Sequence, residues 1–97
     1  MPKPGYVYIM TSTSNTVLYT GVTSSLVNRV FKHKNGYYRK SFTCRYNCHK
    51  LVWYQCFLNI EDAIEREKQI KAGSRAKKLA LVNEMNPEWK DLFESVC

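Results

Sequence analysis

The stretch Leu18–His33, LYTGVTSSLVNRVFKH, decides how this chain is read. Leu18, Tyr19 and Thr20 are strand-forming, Gly21 reads as the break that ends the strand, and a helix follows. Thr23, Ser24 and Ser25 bring hydroxyls to the helix start, where a side-chain oxygen accepts from an otherwise unpaired N–H. Leu26, Val27, Val30 and Phe31 then recur at helical spacing. Arg29 and His33 lie four apart and share one helix face. A strand-end tyrosine, a glycine and a helix carrying an Arg and a His are more than a surface loop requires. They suit a site for an anion.

Upstream, Tyr6-Val7-Tyr8-Ile9-Met10 is β-branched and aromatic and reads as a strand. Thr11 to Asn15 reads as a turn and Thr16 to Thr20 as the second strand of an antiparallel hairpin. Alternation puts Tyr6 and Tyr8 on one face, Val7 and Ile9 on the other. Downstream, the first helix spans Ser25 to Lys34 and ends at Asn35-Gly36. Tyr37 to Lys50 has no clear period and reads as a loop. There Arg39, Lys40, Arg45 and Lys50 interleave with Tyr37, Tyr38, Phe42 and Tyr46, a mixture that can meet phosphates and stack on bases. A solvated loop whose rings cap the core edge accounts for it equally well.

Leu51 to Phe57 is almost continuously apolar, which predicts a strand in the middle of a sheet, with Cys56 a small core residue. Asn59 caps a second helix, IEDAIEREKQIKA, that stops at Gly73. Ser74 opens a third, SRAKKLALVNEM. Asn86-Pro87 begins a short last helix, docked through Trp89, Leu92 and Phe93.

The chain has 97 residues, enough for one domain, and 15 Lys and Arg against 8 Asp and Glu give a net charge of +7. Such a balance favours a polyanionic partner, nucleic acid first. No apolar run approaches a membrane span, and MPKPGYVY lacks the apolar stretch of a secretory signal, so the expectation is a cytoplasmic protein with reduced thiols and no membrane partner. Cys44, Cys48 and His49 lie close enough to suggest zinc, but the usual CxxC pairing is missing.

The second helix holds the most informative single residue. Its apolar stripe is Ile60, Ala63, Ile64 and Ile70, and Glu67 falls on that face. Burying an unpaired carboxylate costs several kcal/mol, so Glu67 needs a partner: an arginine such as Arg29 or Arg66, a tyrosine hydroxyl or a metal ion. Two strand tyrosines, an Arg and a His on the next helix and one inward Glu can converge on a pocket. That set is sufficient for phosphodiester hydrolysis with one metal.

At these residues the chain resembles the GIY-YIG nuclease superfamily. Tyr6-Val7-Tyr8 stands for the first signature and Tyr19-Thr20-Gly21 for the second, their tyrosines 11 apart. Arg29 follows Gly21 by eight and His33 follows Arg29 by four, as in the superfamily pattern. Glu67, in AIEREKQIK, matches the metal-binding glutamate, and Asn86, in NPEW, a late polar position. YVYI, LYTGVT, an FT..Y loop, REKQIK and NPEW.DL are similar to the small stand-alone bacterial branch.

The resemblance implies a single GIY-YIG domain over residues 1–97, an α/β (α+β) fold with a small three-stranded antiparallel sheet flanked by helices. It implies a DNA endonuclease using Mg²⁺ or Mn²⁺, structure-specific and linked to DNA repair or processing. By it, Tyr8 is the general base, Tyr19 positions water or shares the proton, Arg29 stabilises phosphate charge, His33 assists and Glu67 binds the cation. A free tyrosine titrates near ~10, so base action needs that value lowered by the cation and Arg29. Arg39, Lys40, Arg45, Tyr46 and Lys71 are the expected nucleic-acid contacts. Tyr6 and Thr20 depart from the signatures, and relatives that repair DNA usually carry a second module. Substrate choice then comes from DNA structure or a partner protein. The alternatives are a nucleic-acid-binding module that does not cut and a nuclease subunit that works only with a partner.

Overall fold

The hairpin at the start of the chain sets the frame. In the computed structural model, which describes residues 3–37 and 41–96, strand β1 (Gly5–Ser12) pairs antiparallel with β2 (Leu18–Thr23). The turn between them rests on Ser12, whose Oγ accepts from the N–H groups of Thr16 and Val17. Asn15 takes the left-handed backbone, φ 61°, that Asn tolerates. Helix α1 (Leu26–Lys34) follows, then a single turn α2 (Phe42–Arg45), strand β3 (Cys48–Phe57), helices α3 (Ile60–Ala72) and α4 (Arg75–Met85), and a terminal turn α5 (Phe93–Val96). The sheet order is β2-β1-β3, three antiparallel strands flanked by helices, as the sequence predicts.

Alternation along β1 divides the core in two. Tyr8 and Met10 face α1 and pack with Leu26, Val30, Cys48 and Leu51. Val7 and Ile9 face the other way, onto Ala63 and Ile70 of α3 and Val82 of α4. The sheet is thus sandwiched, with α1, α2 and α5 on one side and α3 and α4 on the other.

Several boundaries differ from the sequence reading. β2 does not break at Gly21. It runs on to Thr23, and Gly21 sits within it opposite Tyr8. The helix-start hydroxyl acts two residues upstream: Ser25 makes no side-chain cap, while Thr23 Oγ1 accepts from Ser25 N–H. The segment read as one loop contains α2, capped by Ser41, whose Oγ accepts from Cys44 N–H, and the first residues of β3. Cys56 is exposed rather than in the core.

β1, not β3, is the central strand, and β3 has the apolar run of a central strand for two other reasons. A register shift opposite Ile9 and Met10 lets Val52 and Trp53 both join the α3–α4 side while Leu51 joins the α1 side. The outer edge of β3 is also covered. Leu51 O accepts from Leu92 N–H at 2.7 Å, Leu51 N–H donates to Asp91 Oδ1 at 3.2 Å, and Val52 O accepts from Asn86 Nδ2 at 3.1 Å. An edge satisfied in this way is no longer a template for another strand.

That edge cover replaces the expected helix after Asn86. Asn86 closes α4, donates also to Lys90 O and accepts from Lys90 N–H, winding residues 86–90 into a turn. Asp91 is tied to Lys34 of α1. Burial pushes the Asp91 carboxyl up, but the hydrogen bond from Lys34 and those from the Phe93 and Leu51 amides outweigh it and hold the group below its ordinary value. Trp89, Leu92 and Phe93 dock as expected.

Candidate active site

Gly21 makes the site possible. It lies directly opposite Tyr8, and a Cβ built there would stand 2.4 Å from the Tyr8 hydroxyl oxygen and 2.5 Å from Cζ. The absence of a side chain lets the Tyr8 ring lie flat across β2 towards α1, which buries it almost completely, at 1% exposure. On α1, His33 comes one turn after Arg29 and turns inward with Leu26 and Val30. The Tyr8 hydroxyl and His33 Nε2 meet at 3.1 Å.

Tyr19 completes a triangle of rings. Its centroid lies 6.2 Å from Tyr8 and 5.6 Å, edge-on, from His33, and Tyr8 and His33 are 6.0 Å apart. Tyr19 is half-buried and so is the ring through which the site opens. Phe42 of α2 stacks against it at 6.0 Å, and Tyr46 lies 4.7 Å beyond Phe42. Arg45 sits over Tyr46 at 5.7 Å. The FT..Y pattern therefore builds a short helix that carries a row of rings away from the tyrosine pair.

His33 is held by both nitrogens. Nδ1 lies 2.7 Å from Thr43 Oγ1, and Thr43 Oγ1 lies 2.9 Å from Ser41 Oγ. Burial, then the positive charges of Arg29 and His49, lower the His33 pKa to about 4. The imidazole is neutral across the neutral range.

That shift has a consequence for stability. Between pH ~4 and the ordinary ~6.5, an unfolded chain binds a proton at His33 that the folded chain refuses, so the contribution is whole above ~6.5 and is lost as pH falls towards ~4. It amounts to about 3 kcal/mol at most. Urea unfolding of wild type and His33→Gln near neutral pH and at mild acid is expected to show the wild type losing stability faster on acidification. Equal losses would rule out the buried neutral imidazole.

Glu67 approaches from the other side of the sheet. The packed stripe of α3 is Ala63 and Ile70, while Ile64, expected among them, is exposed. Glu67 lies at the margin of that stripe, its side chain 15% exposed, and pairs with Lys71 at 3.4 Å rather than with either arginine. Lys71, with Lys78 of α4, lines a recess along β2 that Leu18, Tyr19, Thr20 and Phe42 complete. Through Lys71, the Glu67 carboxylate is tied to a residue of that recess, although Glu67 itself is not part of its lining.

The other expected residues divide clearly. Arg45, the last residue of α2, and Tyr46, directly after it, are exposed, and Arg39 and Lys40 lie outside the described residues. Asn86 spends its amide on Val52 and Lys90 backbone groups and works as a structural pin. Cys48 is buried among apolar side chains, which pushes its thiol up, and His49 Nδ1 is engaged by the His33 carbonyl. Among the described residues, no three His, Cys, Asp or Glu side chains gather as a metal cluster. Thr43, Ser41 and Lys78 escaped the sequence reading. Thr43 carried a signal in the FT..Y pattern, but an aperiodic segment gave no direction for its hydroxyl.

Comparison with known proteins shows the family to which the chain belongs. A family model of the GIY-YIG catalytic domain matches residues 4–80. The chain is 39% identical over 83 residues to a UPF0213 protein of Syntrophus aciditrophicus, covering 86% of this chain and 93% of that one. It is 37% identical over 79 residues to a UPF0213 protein of Staphylococcus saprophyticus (81% and 94% covered). A third such protein, from Clostridium perfringens, is 38% identical over 78 residues (80% and 82% covered). No solved structure matches significantly. The matched span contains Tyr8, Tyr19, Arg29, His33 and Glu67. With most of its length matched, and relatives covered almost end to end, the chain belongs to the GIY-YIG nuclease superfamily.

Proposed function

We propose that this protein is a cytoplasmic, single-domain (residues 1–97) DNA endonuclease that hydrolyses phosphodiester bonds with one divalent cation, Mg²⁺ or Mn²⁺. The observation that carries the reading is the Tyr8–His33 hydrogen bond, 3.1 Å long and buried, set behind a half-buried Tyr19 at an otherwise basic edge. Among the described residues no helix is long and apolar enough to cross a membrane.

Tyr8 is the general base. Its oxygen takes a proton from the attacking water as its own proton moves to Nε2 of neutral His33. Tyr19, at the mouth, orients that water. Arg29, close enough to His33 to repel its proton, places positive charge beside the phosphate. Glu67 would hold the cation: it offers a hard carboxylate oxygen on α3 beside Lys71, a residue of the recess next to Tyr19, and Mg²⁺ commonly takes one or two carboxylates with water and substrate phosphate. When bound, the cation supplies neutralisation of the charge that develops on the phosphate. Lys71, Arg45 and Tyr46 contact the nucleic acid around this opening. Arg39 and Lys40 join them on charge and sequence position alone.

Glu67→Ala tests the reading. Nicking in Mg²⁺ or Mn²⁺ is expected to fall roughly 10³-fold, equivalent to about 4 kcal/mol of transition-state stabilisation. Mn²⁺ line broadening in NMR spectra, centred on Glu67 and Tyr19 in the wild type, disappears with it. Salt-sensitive DNA binding persists, because the net charge barely changes. Undiminished nicking by the variant would defeat the proposal. Salt-sensitive DNA binding by a wild type that cuts nothing would favour a non-cleaving module instead.

A further inference from the structure

The hydrogen bonds behind His33 are not needed to explain the fold of α1, and they are not random. A neutral imidazole has one N–H and one bare nitrogen, so the group hydrogen-bonded to the N–H must accept and the group hydrogen-bonded to the bare nitrogen must donate. Tyr8 lies at Nε2 and Thr43 at Nδ1. If the ring proton is on Nε2, it points at the Tyr8 oxygen, and the phenolic proton has no path to His33. If it is on Nδ1, it goes to Thr43 Oγ1, and Nε2 presents a lone pair to Tyr8 O–H. The second arrangement is the one in which Tyr8 can act as a base.

Thr43 and Ser41 can hold that arrangement. Thr43 is 1% exposed, and its hydroxyl lies between Nδ1 at 2.7 Å and Ser41 Oγ at 2.9 Å. With Nδ1–H donated to Thr43, the Thr43 hydroxyl proton points to Ser41 Oγ. Ser41 also accepts from Cys44 N–H, so both of its lone pairs are filled, and its own proton is free to meet solvent because Ser41 is half-exposed. Every group in the row is satisfied. We infer that Thr43, oriented by Ser41, is the positioning residue that keeps His33 in its Nδ1–H tautomer and thereby leaves Nε2 open to the proton of Tyr8.

The inference rests on the nuclease reading, since it gives Tyr8 and His33 their purpose. The step balances. A water O–H bond breaks and its proton goes to Tyr8 oxygen, while the Tyr8 O–H bond breaks and its proton goes to Nε2. The water oxygen forms the bond to phosphorus, and the leaving oxygen departs with the electron pair of the broken P–O bond. The leaving oxygen takes a proton from solvent, and His33 becomes an imidazolium with its Nδ1–H still donated to Thr43, its extra proton later passing back through Tyr8 to solvent. Among the described residues, the groups that act on this ring by charge are Arg29 from α1 and His49 from β3. Both oppose the imidazolium, so a donor-accepting Thr43 matters more than it would beside a carboxylate.

The tautomer can be read without any activity. Long-range ¹H–¹⁵N correlations of the His33 side chain in ¹⁵N-labelled wild type, near neutral pH, are expected to show a protonated Nδ1 and a bare Nε2. Thr43→Val, nearly isosteric, is expected to give a mixture of tautomers, and Thr43→Ser to restore the wild-type pattern. In the same proteins, Thr43→Val lowers the kcat of nicking about 10- to 100-fold with KM within about two-fold, and Thr43→Ser recovers it. A wild type with its proton on Nε2 overturns the inference, as does a Thr43→Val protein with an unchanged tautomer and kcat. A wild type that cuts no DNA but shows the protonated Nδ1 would remove the nuclease reading and leave the tautomer assignment standing.

Discussion

Tyr8→Phe is expected to abolish most cleavage while leaving the protein folded, and it is the sharpest separation of chemistry from structure that this site offers. The substitution removes one atom. The ring keeps its place on Gly21 and its packing against Met10, Leu26 and Val30. What disappears is the hydroxyl that bonds His33 Nε2 at 3.1 Å, and with it the only route by which a water proton reaches the imidazole in the proposed mechanism. Loss of a general base typically costs about 10²–10⁴-fold in rate. Single-turnover nicking in Mn²⁺ should fall by that order, with DNA affinity within about two-fold of wild type, because Tyr8 is too buried to touch the substrate's outer surface. Stability should fall by only about 1–3 kcal/mol, since Nε2 loses its buried partner while the apolar area is unchanged. Tyr19→Phe, at a half-buried ring, is the comparison and should lose less. A Tyr8→Phe protein cutting within about threefold of wild type would remove Tyr8 from the base role and shift attention to Tyr19.

The features legible in the sequence were those governed by local pattern. The alternation of Tyr6 and Tyr8 against Val7 and Ile9 fixed which face each occupies, and the structure divides its core along that line. The spacing of Arg29 and His33, and the periodic Ile60–Ala72 helix with its Gly73 stop, were equally readable. What failed were readings that depended on contacts distant in the chain. The apolar run in β3 implied a central strand. The real cause was a bulge opposite Ile9 and Met10 together with an edge sealed by Asn86, Asp91 and Leu92, some forty residues later. Asn86-Pro87 carried a local helix-start signal, but its amide was claimed by Val52 and Lys90 instead. Tertiary hydrogen bonding overrode propensity in both places. At the site, Tyr8, Tyr19 and His33 stand out in the sequence by residue type and spacing, and the structure brings their rings together. Thr43 does not stand out, since a threonine hydroxyl acquires meaning only from what stands 2.7 Å away.

Gly21→Ala is expected to have the largest combined effect on fold and function of any single-methyl change in this chain. In sequence alone Gly21 reads as a strand break, which implies a tolerant position. Its place inside β2, opposite Tyr8, implies the opposite. No positive φ is involved, so the penalty is purely one of space. The added Cβ would sit 2.4 Å from the Tyr8 oxygen, 2.5 Å from Cζ and 2.9 Å from Cε1. None of these can be relieved by a flexible side-chain tip, because the ring is fully buried and wedged between β2 and α1. Either the ring moves or the strands part. Overpacking of this kind costs about 1–3 kcal/mol, and for a domain of this size each kcal/mol lowers Tm by roughly 4–8 °C. Displacing the hydroxyl by about 1 Å also breaks its alignment with Nε2, and misplacement on that scale costs about 10²-fold in rate. The double variant Gly21→Ala, Tyr8→Phe isolates the cause. Removing the Tyr8 oxygen deletes the tightest contact, so the double variant should be more stable than the sum of the two single losses predicts, while remaining inactive. Strict additivity of the two losses in thermal melts would mean that the Gly21 methyl is opposed by the Tyr8 ring carbons, which Phe keeps, rather than by the hydroxyl oxygen.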